Sequence, residues 1–195
     1  MDILQAIKTR RTIRLFKQDS VADELLIEFV EAGRCAPSGA NCQPLEYVVI
    51  NDARMLDGVF AQLAWAGYIK PKRTPPADSR PTAYIVVLVN GDISSDGSVD
   101  AAAAIENILL AAWAKGIGSC WIGSIKRDEL GKILELPDNY SIDSVIALGW
   151  AAEEPVMEDC RDESIKYYLD ENDRLHVPKR PLKAIMHVNR FSKSI

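Results

Sequence analysis

The sequence predicts an α+β or three-layer α/β/α domain, and three segments lead to this prediction. Residues 82–89 are continuously apolar and rich in β-branched side chains, as is typical of a strand buried on both faces, and residues 142–149 predict another buried strand. Residues 97–115 are apolar nearly all round at helical spacing, which places such a helix at the centre of a fold. A chain of 195 residues fits one domain, so we expect a single domain over residues 1–195 with three or four strands among five or six helices.

The other elements follow from apolar spacing and turn residues. The spacing predicts amphipathic helices at 2–9, 20–33, 55–65 and 126–134, a strand at 46–50, a short strand or loop at 119–123 and a small hairpin at 166–177. Ser20 and Asp23 resemble a capping box, in which a hydroxyl and an acid satisfy the first backbone N–H groups of a helix. Pro37 prevents any continuation of the 20–33 helix.

Residues 67–81 interrupt this regular pattern. They contain four prolines and four basic residues, so we expect no packed element there. The basic residues are Lys70, Lys72, Arg73 and Arg80. Long loops inside compact domains are often lids or binding loops, and these cations would suit an anionic ligand; a solvated loop is the equal alternative.

Composition narrows the class of protein. A net charge of −5 argues against nucleic acid or an anionic membrane as the main partner. Four cysteines and two histidines lack the spacing of a zinc site, so we expect no metal and read the cysteines as reduced thiols. The N-terminus has no signal-peptide pattern and the apolar run 108–114 is too short to cross a bilayer, so we expect a cytoplasmic protein.

Two polar segments carry the candidate chemistry. Residues 10–16 (RRTIRLF) place three arginines within five positions, and an arginine fork suits phosphate oxygens. In an extended chain Arg10, Thr12 and Arg14 would point to one side. Residues 36–44 (APSGANCQP) form a polar loop between two prolines, and Gly39 permits a turn that other residues resist. Read alone, the first segment is a solvated basic turn and the second is a helix stop.

Known catalytic and nucleotide-binding motifs are missing from the sequence. It contains no G-x-S-x-G elbow, no G-x-G-x-x-G after an early strand and no G-x-x-x-x-G-K-[ST] loop. A nucleotide-like cofactor would therefore have to be held by the arginines and the irregular loop.

Three segments in order resemble the nitroreductase family of flavoproteins. Residues 10–16 are similar to its R-R-S-x-R-x-F opening, residues 36–44 to its A-P-S-x-x-N-x-Q-P-W loop, and residues 116–123 (GIGSCWIG) to its G-L-G-S-C-W-I-G segment. Thr12 replaces the commoner serine and keeps a hydroxyl, whereas Leu45 replaces the frequent tryptophan. The resemblance implies a nitroreductase-like fold with a mixed central sheet, helices on both faces, and a homodimer with FMN at its interface. It also implies that the C-terminal segment 160–195 extends over the partner subunit.

The resemblance further implies which residues bind FMN. Arg10 and Thr12 would contact the phosphate or ribityl chain with Arg11 nearby, and Arg14 would lie at the N1/O2 edge of the ring. The loop would come from the partner subunit, Ile122 and Gly123 would lie near N5, and Arg190 would reach the phosphate. The full set is Arg10, Arg11, Thr12, Arg14, Pro37, Ser38, Gly39, Asn41, Gln43, Ile122, Gly123 and Arg190.

The implied activity is a ping-pong oxidoreductase in which FMN carries the chemistry and no side chain is catalytic. NADH or NADPH would reduce the flavin, and an electron-poor acceptor such as a nitroaromatic or quinone would then take the hydride. The sequence does not choose between NADH and NADPH because it has no dinucleotide fingerprint. Alternatives are a non-catalytic flavin-binding module, a relative that fragments flavin or dehalogenates reductively, and a protein without a cofactor.

Overall fold

The structure is a computed structural model that describes residues 1–69, 73–160 and 164–191. The chain divides into two compact units, Met1–Glu153 and Glu154–Ile195. The strands of the first unit are β1 (Leu45–Ile50), β2 (Ala83–Asn90), β3 (Ile117–Ile122) and β4 (Tyr140–Trp150). They form one sheet in the order β1-β2-β4-β3, in which every strand pair is antiparallel. A parallel bridge between Thr12 and Ser119 extends the sheet at the β3 edge.

Helices cover both faces of this sheet. They are α1 (Ile3–Thr9), α2 (Asp23–Arg34), α3 (Ala53–Phe60), α4 (Ser98–Ala114) and α5 (Arg127–Ile133). Alternate residues of β2 enter two separate apolar clusters: Ile85 packs with α2 and α4, and Val86 packs with α3 and α5. Every residue from Ala83 to Val89 is buried, because each face of the strand has its own helical layer. This arrangement confirms the predicted α+β class and its three layers.

The long helix α4 is buried on one face only. Its inner face contributes Ala101, Ile105 and Ile108 to the core, whereas Val99 is exposed and Leu110 is half-buried. The all-apolar pattern predicts a helix surrounded by the fold on all sides, but within a single chain only one face of α4 is buried. The opposite face leaves apolar surface in contact with water.

Two helix boundaries differ from the prediction. The N-cap of α2 is Ala22, whose side chain makes no capping bond, so the predicted capping box of Ser20 and Asp23 is wrong. Instead, the Asp23 carboxylate accepts a hydrogen bond from the Asn51 amide. Helix α3 ends at Phe60 rather than at residue 65 because the following chain bridges to residues 124–125, where the Ala64 N–H donates to the Ser124 carbonyl.

The proline-rich segment contains more packed structure than the sequence predicts. Lys70 and Lys72 lie outside the described residues. Arg73 is buried, and Ala77–Ser79 form a short 3-10 turn. The expectation that residues 67–81 form no packed element is therefore wrong for their described part from Arg73 onward.

The second unit has its own small sheet. Its strands are β5 (Val156–Asp159), β6 (Tyr168–Leu169) and β7 (Leu175–Lys179), in the order β5-β7-β6. Strands β6 and β7 pair antiparallel, which confirms the predicted hairpin, while β5 joins β7 in parallel and was not predicted. His176 joins all three parts: Nδ1 lies 3.1 Å from Glu158 Oε2, Nε2 lies 3.2 Å from Asp170 Oδ2, and the ring stacks on Tyr168.

Candidate functional site

The N-terminal arginine segment, residues 10–16, lies in extended form along the sheet. The Ile13 N–H donates to the Ser119 carbonyl of β3 over 2.9 Å, and Phe16 forms an antiparallel bridge with Ala151 just after β4. Ile13 and Phe16 are fully buried, and this apolar anchoring fixes the path of the arginines between them. Arg11 and Ile13 are buried while Arg10, Thr12 and Arg14 are half-buried, so the predicted alternation is confirmed.

Two consecutive arginines, Arg10 and Arg11, bring two positive charges into this segment. Arg11 is only 8% exposed, and burial followed by the charge of Arg10 lowers its pKa. Its guanidinium donates to the Lys8 carbonyl, and no described carboxylate lies within ion-pair distance of it. Arg10 Nε lies 3.5 Å from Glu106 Oε1 of α4 yet is buried without a hydrogen-bond partner among the described residues. Among the described residues these two arginines thus have one carboxylate within ion-pair distance, the partly exposed Glu106 beside Arg10, an arrangement that suits an added anion.

Strand β3 packs closely against the arginine segment. A Cβ on Gly118 would lie 2.9–3.0 Å from three side-chain atoms of Ile13, so only glycine permits this approach. Gly116, just after α4, has a φ of 82°, whereas Gly118 lies within β3. The hydroxyl of Ser119 is buried without a hydrogen-bond partner among the described residues, directly beside Thr12.

The C-terminal end of β3 opens to solvent. Ile122 is buried, whereas Gly123 is exposed and a Cβ there would meet no atom within 4 Å. Arg127 fixes this turn, since its guanidinium donates to the carbonyls of Gly123 (3.3 Å), Ile142 (2.8 Å) and Asp143 (2.9 Å). The sequence reading missed Arg127, which looked like a surface residue of a short helix.

The polar loop, residues 36–44, is held in an unusual backbone conformation. Positive φ occurs at Ala40 (48°), Asn41 (57°) and Gln43 (54°), so the expectation that Gly39 supplies the special turn is wrong. Ser38 Oγ accepts from the Gln43 N–H over 3.0 Å, which closes the loop on itself. The strain at these positions is retained because bonds at both ends of the loop determine its shape.

Asp100 in the first turn of α4 anchors this loop, and the sequence reading missed it. Its Oδ1 accepts from the Gly39 N–H over 3.0 Å. A cavity of about 140 Å³ lies beside this contact; its lining includes Pro37, Ser38, Gln43, Tyr47 and Asp100. The anchor explains how a loop of strained residues stays in place next to an open cavity.

Helix α4 contacts both polar segments, at two different positions along its axis. The loop contacts it at Asp100 and the arginine segment contacts it at Glu106, about 9 Å further along the helix axis. No hydrogen bond or ion pair joins the two segments directly in the described part of the chain. Arg190 belongs to the second unit, where its side chain is exposed and its N–H donates to the Val188 carbonyl.

Comparison with known proteins decides the family. A sequence profile described as the nitroreductase family matches residues 7–150, which contain all three motifs. The chain belongs to the nitroreductase family. A relative from Archaeoglobus fulgidus, named "Putative NADH dehydrogenase/NAD(P)H nitroreductase", is 33% identical over 91% of this chain and 98% of its own.

Solved structures share the nitroreductase fold. A protein of the same name from Parabacteroides distasonis has a TM-score of 0.72 at 25% identity, over 97% of this chain and 98% of its own. A second structure, from Desulfovibrio desulfuricans, is described as "a putative nitroreductase in complex with fmn". It has a TM-score of 0.66 at 29% identity, over 84% of this chain and 93% of its own. These likenesses place the two polar segments of this nitroreductase-family chain within a shared scaffold.

No described helix is long and apolar enough to span a bilayer. Within the same residues, no cluster of three or more histidine, cysteine or acidic side chains is arranged to hold a metal ion. Burial raises the pKa of the Cys120 thiol to about 11, as expected for a cysteine that serves packing.

Proposed function

We propose that this protein is an FMN-dependent NAD(P)H oxidoreductase that reduces electron-poor acceptors such as nitroaromatics or quinones. The observation that carries the proposal is the pair of consecutive cations Arg10 and Arg11, of which Arg11 is buried and has a lowered pKa. A buried cation with a second cation nearby is unfavourable unless an anion neutralises the charge. The phosphate monoester of FMN is close to a dianion at neutral pH and matches this requirement.

The described residues fit FMN in three further respects. Thr12 and the unpaired hydroxyl of Ser119 lie beside the arginines and can donate to phosphate or ribityl oxygens. Arg14 lies two positions beyond Thr12 on the same side of the extended segment and would hold a positive charge at the N1/O2 edge of the ring. Gly123 leaves open space at the end of β3, where a flat ring can approach the backbone next to Ile122.

Bound FMN would supply the hydride acceptance and donation that no side chain of this chain supplies. The residues named above would bind and orient the cofactor. The open surface at Gly123 would admit the nicotinamide and the acceptor in turn, which is the geometry of a ping-pong scheme. The segment that begins at Arg73 would border this surface and influence acceptor choice, as a lid does.

We further propose a homodimer in which residues 36–44 serve the cofactor of the partner subunit. The loop and the arginine segment contact α4 about 9 Å apart, and no hydrogen bond or ion pair between described residues joins them, which suits two sites that are completed across an interface. Apolar surface is available for this interface. Ile3 and Leu4 of α1 are each 63% exposed, and the outer face of α4 is only half-buried.

The C-terminal segment 160–195 would contribute to the same interface. Several of its apolar side chains are more than half exposed, namely Ile165, Leu182, Ile185, Met186, Val188 and Phe191. We propose that they pack on the partner subunit and that Arg190 thereby approaches the phosphate.

The absorbance spectrum of the purified protein tests the cofactor, and anaerobic mixing tests the activity. We expect the peaks of oxidised flavin, bleaching by NADH or NADPH, and recovery of colour when a quinone or nitroaromatic is added. Retained FMN that neither nucleotide bleaches would favour a non-catalytic flavin-binding module. Products derived from the flavin ring under oxygen would favour flavin fragmentation, and a colourless protein that takes up no FMN would refute the proposal.

The dimer has its own test. Replacing Leu4 with glutamate places a charge on the exposed apolar face of α1, and we expect it to shift sedimentation towards the monomer and to release FMN in parallel. The matched control is Glu24→Gln on the surface of α2, which should leave both measurements unchanged. A monomer that keeps its FMN would contradict the shared site.

A further inference from the structure

A buried ion pair lies outside the residues that the sequence reading selected. The side chains of Arg73 and Glu153 are 8% and 7% exposed, and Arg73 Nε lies 3.2 Å from Glu153 Oε2. Two charges withdrawn from water in this way are tolerated only when each compensates the other and further hydrogen bonds satisfy their remaining atoms. All other ion pairs between side chains of the first unit that the structure describes are more exposed.

The second carboxylate oxygen of Glu153 holds the arginine segment. Glu153 Oε1 accepts from the backbone N–H of Arg14 over 2.5 Å and from that of Leu15 over 3.1 Å. The Leu15 carbonyl in turn accepts from the Ala152 N–H over 2.9 Å. One carboxylate therefore fixes the backbone of Arg14 and binds the guanidinium of Arg73 at the same time.

The charges of Arg14 and Glu153 act on the same region of β3. The pKa of Cys120 is raised mainly by burial, while the charge of Arg14 lowers it and the charge of Glu153 raises it. The two charges thus oppose each other at this strand. A carboxylate at this position without a cation of its own would offset the positive charge of Arg14.

The segment that carries Arg73 is fastened to the arginine segment at further points. The Phe16 N–H donates to the Ser79 carbonyl over 3.0 Å, and Gln18 Nε2 donates to the Arg80 carbonyl over 3.1 Å. Together with the Arg73–Glu153 pair, these bonds join residues 73–80 to residues 14–18. Displacement of one segment would therefore move the other.

We propose that Glu153 and Arg73 are positioning residues that set the charge felt by the cofactor. Glu153 holds Arg14 in place, and Arg73 neutralises Glu153 so that the carboxylate does not offset the charge of Arg14 at the flavin ring. This inference rests on the proposed function, because it assumes that FMN binds beside Arg14. It predicts that the two partners of the pair influence the flavin in opposite directions.

The test is a double-mutant cycle in which the midpoint potential of bound FMN is measured for two single variants and their double variant. Glu153→Gln keeps an oxygen that accepts from the Arg14 N–H but removes the negative charge, so reduced FMN should bind more tightly relative to oxidised FMN. Arg73→Met leaves the carboxylate without this cation and should have the opposite effect. We expect each change in the affinity ratio to be on the order of tenfold, equivalent to about 30 mV for a two-electron couple. The double variant should return close to the wild-type potential.

Controls separate electrostatics from a loss of structure. Arg73→Lys keeps the charge and should keep the potential, and Arg54→Met, in the exposed pair with Asp52, should change nothing. Urea unfolding without FMN should show that the double variant is destabilised by less than the sum of the two single effects, because each single substitution leaves one buried charge uncompensated. If Arg73→Met fails to fold, two midpoint potentials still test the inference: that of Glu153→Gln should rise, and that of Arg73→Lys should match the wild type.

The outcomes distinguish this inference from the proposed function. Wild-type protein that binds no FMN would refute the proposed function itself. Wild-type protein that binds FMN, with potentials that stay fixed or move in the same direction in Glu153→Gln and Arg73→Met, would overturn this inference alone.

Discussion

The close contact between Gly118 and Ile13 joins β3 to the arginine segment, and a single substitution tests it. Replacing Gly118 with alanine places a Cβ 2.9–3.0 Å from three atoms of a fully buried isoleucine. All three atoms are close to the Ile13 backbone, so rotation of the side chain cannot relieve the overlap. Overpacking of this kind costs about 1–3 kcal/mol. For a chain of 195 residues this corresponds to a fall in Tm of roughly 2–12 °C.

The assay is thermal and urea unfolding of the FMN-free protein at fixed concentration, followed by titration with FMN. The matched control is Gly131→Ala in α5, where a Cβ meets no atom within 4 Å and the helix gains about 0.5–1 kcal/mol from the substitution. We expect the two alanine variants to shift Tm in opposite directions and Gly118→Ala also to weaken FMN binding, because the arginines move with Ile13. A Gly118→Ala variant with wild-type Tm and wild-type FMN affinity would show that this contact neither limits packing nor positions the arginines.

Three further predictions concern the loop and the second unit. Asp100→Ala should weaken FMN retention several-fold because it frees the Gly39 N–H, whereas Asp100→Asn keeps an accepting oxygen and should retain FMN. Equilibrium dialysis measures the retained FMN, and equal retention in the two variants would contradict the role of Asp100 as the anchor of the loop. Ala40→Gly should raise the urea midpoint, because removing the Cβ relieves backbone strain at a φ of 48° and stabilises the folded state by about 1 kcal/mol. A lower midpoint would show that the conformation of Ala40 is unstrained. The hydrogen bond to Glu158 raises the pKa of His176, so its stabilisation is complete below about pH 6.5 and lost as pH rises through the higher folded-state pKa. His176→Gln should abolish this part of the pH dependence of the urea midpoint, and an unchanged profile would exclude the role.

The sequence predicts those features whose signal is local. Strand β2 carries the continuous apolar pattern of a strand between two helical layers, and the structure buries every residue from Ala83 to Val89. The hairpin of β6 and β7 follows from two apolar runs around a polar turn. The alternation of Arg11 and Ile13 with the half-buried residues of the arginine segment follows from extended geometry alone.

The features that the sequence does not predict depend on contacts between distant segments. Glu153 holds the N–H of a residue 139 positions away, and Asp100 holds that of a residue 61 positions away. Each looks like an ordinary surface acid in its own segment. The same holds for Gly118, because its need for a missing Cβ arises from Ile13 and not from its own backbone.

The most direct test of the account compares the binding of FMN and riboflavin, which differ only in the phosphate. Calorimetric titration of the wild-type protein should show a clear preference for FMN. Arg10→Met should reduce FMN affinity about 10- to 100-fold, as expected for lost charge-assisted hydrogen bonds, while riboflavin affinity stays unchanged. Wild-type protein that binds riboflavin as tightly as FMN would contradict the claim that Arg10 and Arg11 form the phosphate site.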